Sequence, residues 1–167
     1  RVVVPRADAH AWLVANGTWT ANFPLLAGEV ASFLEDAFVG TSSIGMTGTG
    51  GTVEFAFGID DAVEVHTEPF GTLTSRPNWL GKVTATRNWH YALDNHRKAP
   101  VTVEIRDRIP QSQQSYYNVT FTGDAPDETD AEGLVKYRRE LTPDQKATVT
   151  FGYRIQYPRR NPPGAVE

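Results

Sequence analysis

The chain has 167 residues with an apolar share of 40 %, enough to bury the core of one ordinary domain. Its net charge of −4 speaks against a nucleic-acid binder, which would carry a basic face, and against a polybasic membrane anchor. It holds no cysteine, which excludes disulfides, cysteine-ligated zinc, iron–sulfur clusters and thiol nucleophiles, and no apolar run approaches the ~20 residues that span a bilayer.

The dominant pattern along the chain is period two, the mark of half-buried strands. Ala11 to Ala15 is a first short strand. Residues 29–34 and 38–41 flank Glu35-Asp36-Ala37 as a tight hairpin, and the stretch 27–37 is the one place where a helix competes. Gly45 to Gly51 (G-M-T-G-T-G-G) reads as a flexible loop. Val53, Phe55, Phe57 and Ile59 alternate with polar or small residues, Gly58 to Asp61 is a turn or bulge, and Val63 and Val65 resume the pattern. Val83, Ala85, Trp89, Tyr91 and Leu93 share one face of a strand, with Arg87 as the exception. Asp94 to Arg97 is a polar connection, and Val101, Val103 and Ile105 point inward from the strand that follows. Pro110 ends that strand, since proline cannot donate to a central ladder. Alternation restarts at Tyr117, Val119 and Phe121, and Asp124 to Gly133 is an acidic loop. After the turn Leu141-Thr142-Pro143-Asp144, the clearest strand runs over 147–157 with Ala147, Val149, Phe151, Tyr153, Ile155 and Tyr157 on one face. The count is roughly ten short strands, which predicts an all-β antiparallel β-sandwich. Residues 1–158 form one domain, or two lobes at 1–78 and 79–158, and 159–167 form a frayed tail rich in proline and charge.

Chemistry is sparse. His90, His96 and Asp94 are the candidates for a metal, but their spacing fits no zinc motif, and a solvent-facing strand is the simpler reading. Asp124, Asp127 and Asp130 sit in an oxygen-rich loop that calcium could use, although the order of an EF-hand is missing. Asp60 and Asp61 are adjacent, so on a strand they would point to opposite faces and could not share a substrate as a glycosidase pair does. Neither a Gly-x-Ser-x-Gly elbow nor a complete phosphate loop is present. Trp12 and Trp79 are candidates for stacking on sugar rings. Asp107 and Arg108 close the strand V-T-V-E-I-R-D-R before Ile109-Pro110, and one of them is expected to pair with backbone or a neighbouring charge at that corner.

Several stretches together resemble a known family. They are V-V-P-R-A-D-A-H-A-W-L-V-A, P-L-L-A-G-E-V at 24–30, A-F-V-G-T-S at 37–42, F-G-I-D-D-A-V-E-V at 57–65, V-T-V-E-I-R-D-R-I-P-Q-S-Q, and L-T-P-D-Q-K-A-T-V-T-F-G-Y-R-I-Q-Y-P at 141–158. In this order they are similar to the C-terminal domain of unknown function of bacterial proteins resembling mucoidy inhibitor A. One departure is Asp36-Ala37, where the family often places Asp-Gly; alanine disfavours the positive φ of a type I′ turn. The resemblance implies the C-terminal part of a longer protein, behind a β-rich domain and a coiled coil. A chain that opens on Arg1 fits that expectation, with any targeting segment upstream. The family name describes an effect on a mucoid phenotype and no reaction, so no catalytic residues carry over. The expectation is a non-enzymatic interaction module without cofactor, placed in the bacterial periplasm or cell envelope. Its partner would be protein, either itself through the upstream coiled coil or another envelope protein, with neither nucleic acid nor direct membrane insertion involved. A carbohydrate-binding module, or a hydrolase domain completed by another domain, are the alternatives.

Overall fold

The computed structural model of the chain describes residues 1–34, 36–112 and 114–163. Twelve strands form in the order β1 (Val2–Val4), β2 (Asp8–Thr18), β3 (Gly28–Leu34), β4 (Ala37–Ile44), β5 (Thr52–Ile59), β6 (Val63–Thr74), β7 (Lys82–Asn95), β8 (Val101–Arg108), β9 (Asn118–Gly123), β10 (Glu128–Thr129), β11 (Leu134–Leu141) and β12 (Lys146–Pro158). They make a six-stranded sheet β10-β11-β8-β1-β2-β5, a four-stranded sheet β6-β7-β12-β9 and the separate hairpin β3-β4. The all-β sandwich expected from the alternation is present. Its pairing is antiparallel except between β1 and β8, which run parallel with Val3 opposite Ile105. The stretch 27–37 is strand and not helix: Val30 and Ser32 turn toward β5, and Ser32 Oγ donates to the Ala56 carbonyl at 2.8 Å. Leu34 pairs with Ala37, and Glu35 of the expected tight connection lies outside the described residues. So does Gln113 of the Ser112 to Ser115 run. The lobe boundary at 78/79 falls at the tip of the β6–β7 hairpin, whose two strands share one sheet.

Alternation puts the core between the two larger sheets. Val3, Val103, Ile105, Val135 and Tyr137 come from one, and Val65, Tyr91, Leu93, Val149, Phe151 and Tyr153 from the other. Burying each such side chain stabilises the fold by about 1.5–3 kcal/mol, which offsets the entropy of ordering the strands. The faces are held in register by long ladders, above all β7 with β12 from Lys82↔Pro158 to Asp94↔Lys146. Gly152, at the middle of that ladder, has Asn88 Oδ1 only 2.2 Å from where a Cβ would stand. Only glycine lets the Asn88 and Thr122 side chains meet over β12, and they do so at 3.1 Å. The tail starts tied down: Arg159 N–H donates to the Gly81 carbonyl at 2.9 Å and Tyr117 O–H to the Asn161 carbonyl at 3.2 Å.

Three polar locks interrupt the apolar core. The first answers why β8 ends in Asp107. That carboxylate is buried and is gripped by Arg6, whose Nε lies 2.9 and 3.0 Å from its two oxygens and whose Nη2 also contacts Oδ1. Tyr91 O–H donates to it from the opposite sheet, and the Arg108 N–H donates at 2.6 Å. The Arg6 guanidinium in turn lies 4.9 Å from the Trp89 ring centroid and 5.2 Å from that of Phe151. Burial, then the charge of Asp107, pushes the Tyr91 phenol far above its ordinary value, so it stays a donor. The Arg108 side chain plays no part in this lock, being largely exposed and 3.9 Å from Glu132.

The second lock is Asp60. It accepts from Arg97 Nε at 2.9 Å and Nη2 at 2.6 Å, and from Arg1 Nε at 2.6 Å. Asp61 beside it is exposed, so the two carboxylates part as adjacency requires. The third is Asn95, fully buried, which donates to the carbonyls of Ala99, Leu141 and Thr142 at 3.0–3.1 Å. It fixes the connection after β7 against the turn before β12. In that turn Asp144 takes φ 58°, a left-handed conformation that aspartate tolerates.

Replacing Asp107 by alanine leaves Arg6 and Tyr91 without their shared acceptor, and the expected loss is about 3 kcal/mol. The measurement is the urea midpoint at neutral pH, with Arg108→Ala, expected to change by less than about 0.5 kcal/mol, as the exposed control. Equal midpoints for Asp107→Ala and the parent chain would sink the assignment. Acid should act on the same class of contact. Burial pushes the Asp60 and Glu104 carboxyls up, but Arg97 and Arg1 outweigh it for Asp60, and Arg106 and Arg138 do so for Glu104, so both end below their ordinary values of 3.8 and 4.5. The unfolded chain then binds more protons in acid. Their contribution is therefore complete above about pH 5 and is lost as pH falls through the ordinary carboxylate range and beneath it. Asp60→Asn should be less stable at neutral pH and lose less between neutral pH and about pH 3. A variant that loses as much as the parent over that interval would show that Asp60 does not titrate as described.

Candidate functional site

The residues singled out from sequence do not assemble into one site. Asp124, Asp127 and Asp130 are spent on backbone. Asp124 accepts from Thr150 N–H at 2.8 Å, Asp127 from Arg138 N–H at 2.6 Å, and Asp130 from Glu132 and Leu134 N–H groups at 2.8 and 2.9 Å. Asp127 is also paired with Arg139 at 3.1 Å. Asp124 thus ties the loop to β12, Asp127 ties it to β11 and Asp130 fixes its own turn, so the loop is acidic without the three forming a shared cage. Trp79 is 91 % exposed at the tip of the β6–β7 hairpin. Asn78 Oδ1 accepts from the Leu80 and Lys82 N–H groups at 3.0 and 2.9 Å, and this side-chain turn holds the indole out in solvent. Trp12 lies on β2 in the other large sheet, so the two tryptophans share no platform.

Trp12 does line a trough. Its Nε1 donates to Asp8 Oδ2 at 2.9 Å, which anchors the half-buried ring on the outer face of the six-stranded sheet. One cleft of ≈350 Å³ has Val4, Val14, Ala56, Glu54 and Arg106 around the indole. A second, of ≈340 Å³, shares Trp12 and Ala56 and runs under β4, beneath Gly40, Thr41 and Ser42. The Ser42 hydroxyl is buried there without a hydrogen-bond partner. Toward the other end, a third cleft of ≈540 Å³ shares Val4, Ala7 and Arg106 and reaches Arg108 and Leu134. The cations of this trough are already matched: Arg106 holds Glu54 through both Nη atoms, at 3.0 and 2.6 Å, and Glu104 through Nε at 2.7 Å. Asp8 is lowered by hydrogen bonds from His10 and Trp12, and Glu104 by its arginines. Such carboxylates stay ionised at neutral pH, the reverse of what a general acid needs.

Exposed apolar side chains gather at two hairpin tips, and Phe23, Leu26 and Met46 are exposed in the loops before β3 and after β4. On β3–β4, Phe33, Leu34 and Phe38 are all more than half exposed, with the two rings edge to face at 5.6 Å between centroids. On β6–β7, Leu73 and Leu80 flank Trp79.

Of the three residues weighed as metal candidates from sequence, the structure brings two together. His90 stacks on Phe70 at 3.7 Å between ring centroids and takes no part in a ligand set. Asp94 and His96 instead meet Glu64, which the register places directly across from Asp94. Glu64 was legible as an outward residue of E-V-H at 64–66, but which strand would face Asp94 was not.

The family model that matches the chain is the domain of unknown function DUF4139, over residues 4–159. Protein F37C4.5 of Caenorhabditis elegans is similar to the chain, 26 % identical over 172 residues, an alignment that covers 95 % of the chain and 31 % of that protein. The chain therefore spans less than a third of the length of this curated relative. No solved structure matches it. With all but its ends inside the matched region, the chain belongs to the DUF4139 family, a domain of unknown function.

Proposed function

We propose that this domain is a non-enzymatic interaction module and that the β3–β4 hairpin is its contact surface. The observation that carries the reading is the trio Phe33, Leu34 and Phe38, displayed at the end of a hairpin that belongs to neither large sheet. Rigid aromatic and aliphatic side chains at a protruding tip are the anchors that protein interfaces use, since they desolvate large areas with little ordering entropy. The ionised, matched carboxylates and the polar locks, each serving the fold, agree with a role in binding rather than turnover. The partner is protein. The resemblance to mucoidy-inhibitor-like proteins points to the envelope of a bacterium and to self-association through an upstream coiled coil. A nematode relative carries the same region, so the first place to look for the partner is the remainder of the full-length chain.

A second reading has its own support. Trp12 stands between two contiguous clefts with Asp8, Glu54 and Arg106 close by, the mixture of a stacking face and hydrogen-bonding groups that sugars favour. Quenching of tryptophan emission by a glycan, lost in Trp12→Ala, would move the function to the trough.

The interaction reading is tested by placing a photo-crosslinking amino acid at Leu34 in the full-length protein, with Thr120 on the exposed face of β9 as the control position. A discrete adduct is expected from Leu34 and none from Thr120. The double change Phe33→Ser and Phe38→Ser should remove the adduct while leaving stability within about 1 kcal/mol, because both rings are solvent-facing. Equal yields from the two positions, or an adduct that survives the double change, would overturn the reading.

A further inference from the structure

We propose a binding site for a borderline divalent cation, of the zinc, cobalt or nickel type, on the outer face of the four-stranded sheet at Glu64, Asp94 and His96. The three side chains offer two carboxylate oxygens and one imidazole nitrogen, all within 4.8 Å of one another. His96 Nε2 is 3.2 Å from Glu64 Oε2 and 3.7 Å from Asp94 Oδ2. Ligand atoms about 2.0 Å from a tetrahedral metal are roughly 3.3 Å apart, so only small side-chain rotations separate this arrangement from a coordinating one. The backbone already sets the spacing. Glu64 and Asp94 face each other across the β6–β7 ladder, and His96 follows two residues after Asp94, where its backbone N–H donates to the Ala62 carbonyl at 2.9 Å.

Two further contacts point to a cation. His66 Nε2 lies 2.9 Å from Glu64 Oε1, the oxygen away from His96, and so orients that carboxylate from behind as the outer partner of a ligand does. Lys146, opposite Asp94 on β12, puts its ammonium 2.5 Å from Asp94 Oδ2, so a positive charge already occupies this locus. Lys146 is 79 % exposed and can swing away without opening any packed surface. Imidazole with two carboxylates selects zinc-like ions over calcium, which requires six to eight oxygens. The site is separate from the β3–β4 tip and from the Trp12 trough, and it stands or falls independently of the interaction reading.

The test uses zinc with the intact chain, followed by calorimetry and by thermal melting, and cobalt to read coordination through its visible absorption. Saturable binding of one equivalent is expected, with a rise in the melting temperature. His96→Ala and Glu64→Gln should each weaken binding by more than about 10-fold, His10→Ala should leave it unchanged, and Lys146→Ala should tighten it. All four positions are exposed, and the melting temperature without metal reports that each variant is folded. Absence of saturable zinc binding in the parent chain, or affinity that is the same in His96→Ala as in the parent, would overturn the site.

Discussion

The sandwich depends on a charge that its own core should reject. Asp107 points from the end of β8 into the space between the two sheets, where a lone carboxylate would cost several kcal/mol in lost hydration. Arg6, Tyr91 and the Arg108 amide replace that hydration with four donors from three parts of the chain. The result is directional in a way that apolar packing is not. Val103 or Ile105 could slide against Val149 at small cost, but the Arg6 fork and the Tyr91 hydroxyl meet Asp107 in only one alignment of the two sheets. The short β1 then follows: Arg6 lies just past it, and Val3 is drawn against Ile105 in the one parallel pairing among the described strands. Asp60 and Asn95 do the same at the other end, where β5, the β7–β8 connection and the turn before β12 come together.

This arrangement bears on function by elimination and by geometry. Most of the charged chemistry in the chain is consumed in holding the fold: Asp107, Asp60, Glu104 and the three acidic-loop aspartates all face donors. The exposed apolar surface at the β3–β4 tip lies outside the two large sheets. The β3–β4 hairpin adds its own two-stranded sheet beside β5, and Phe33, Leu34 and Phe38 at its tip stay in water. Keeping that much apolar surface exposed at a tip has no stabilising effect on the domain itself. A contact with another protein surface supplies a physical reason for it.

Sequence pattern carried the layers but not their assembly. Period two located β7, β8 and β12 and assigned their inward faces, because a half-buried strand has no other economical way to separate apolar from polar side chains. It marked the corner of Asp107 and Arg108 as the place where one of the two must meet a partner, and in the structure the inward parity of Asp107, after Val103 and Ile105, makes it that one. The partner, Arg6, is 101 residues away, and nothing in a local pattern announces contacts at that range. The parallel β1–β8 pairing was hidden for the same reason. At 27–37 the apolar residues fall on both faces, which imitates a short helix; in the structure it reflects a hairpin with one side on β5 and the other in solvent.

The candidate sites divide along the same line. A reading by spacing along one strand grouped His90, Asp94 and His96, and the structure keeps two of these and replaces the third with a residue from the neighbouring strand. Asp94 has Glu64 on one side and Lys146 on the other because β7 is central in its sheet, so every outward residue on it gains two cross-strand neighbours. His90 gains Glu68 and Thr150 by the same rule, yet its ring is occupied by Phe70. The neighbours, more than the histidine itself, decide which imidazole is free to act. On a central strand that choice is made by register, and register here is fixed by the buried contacts of Asp107, Asp60 and Asn95 beneath it.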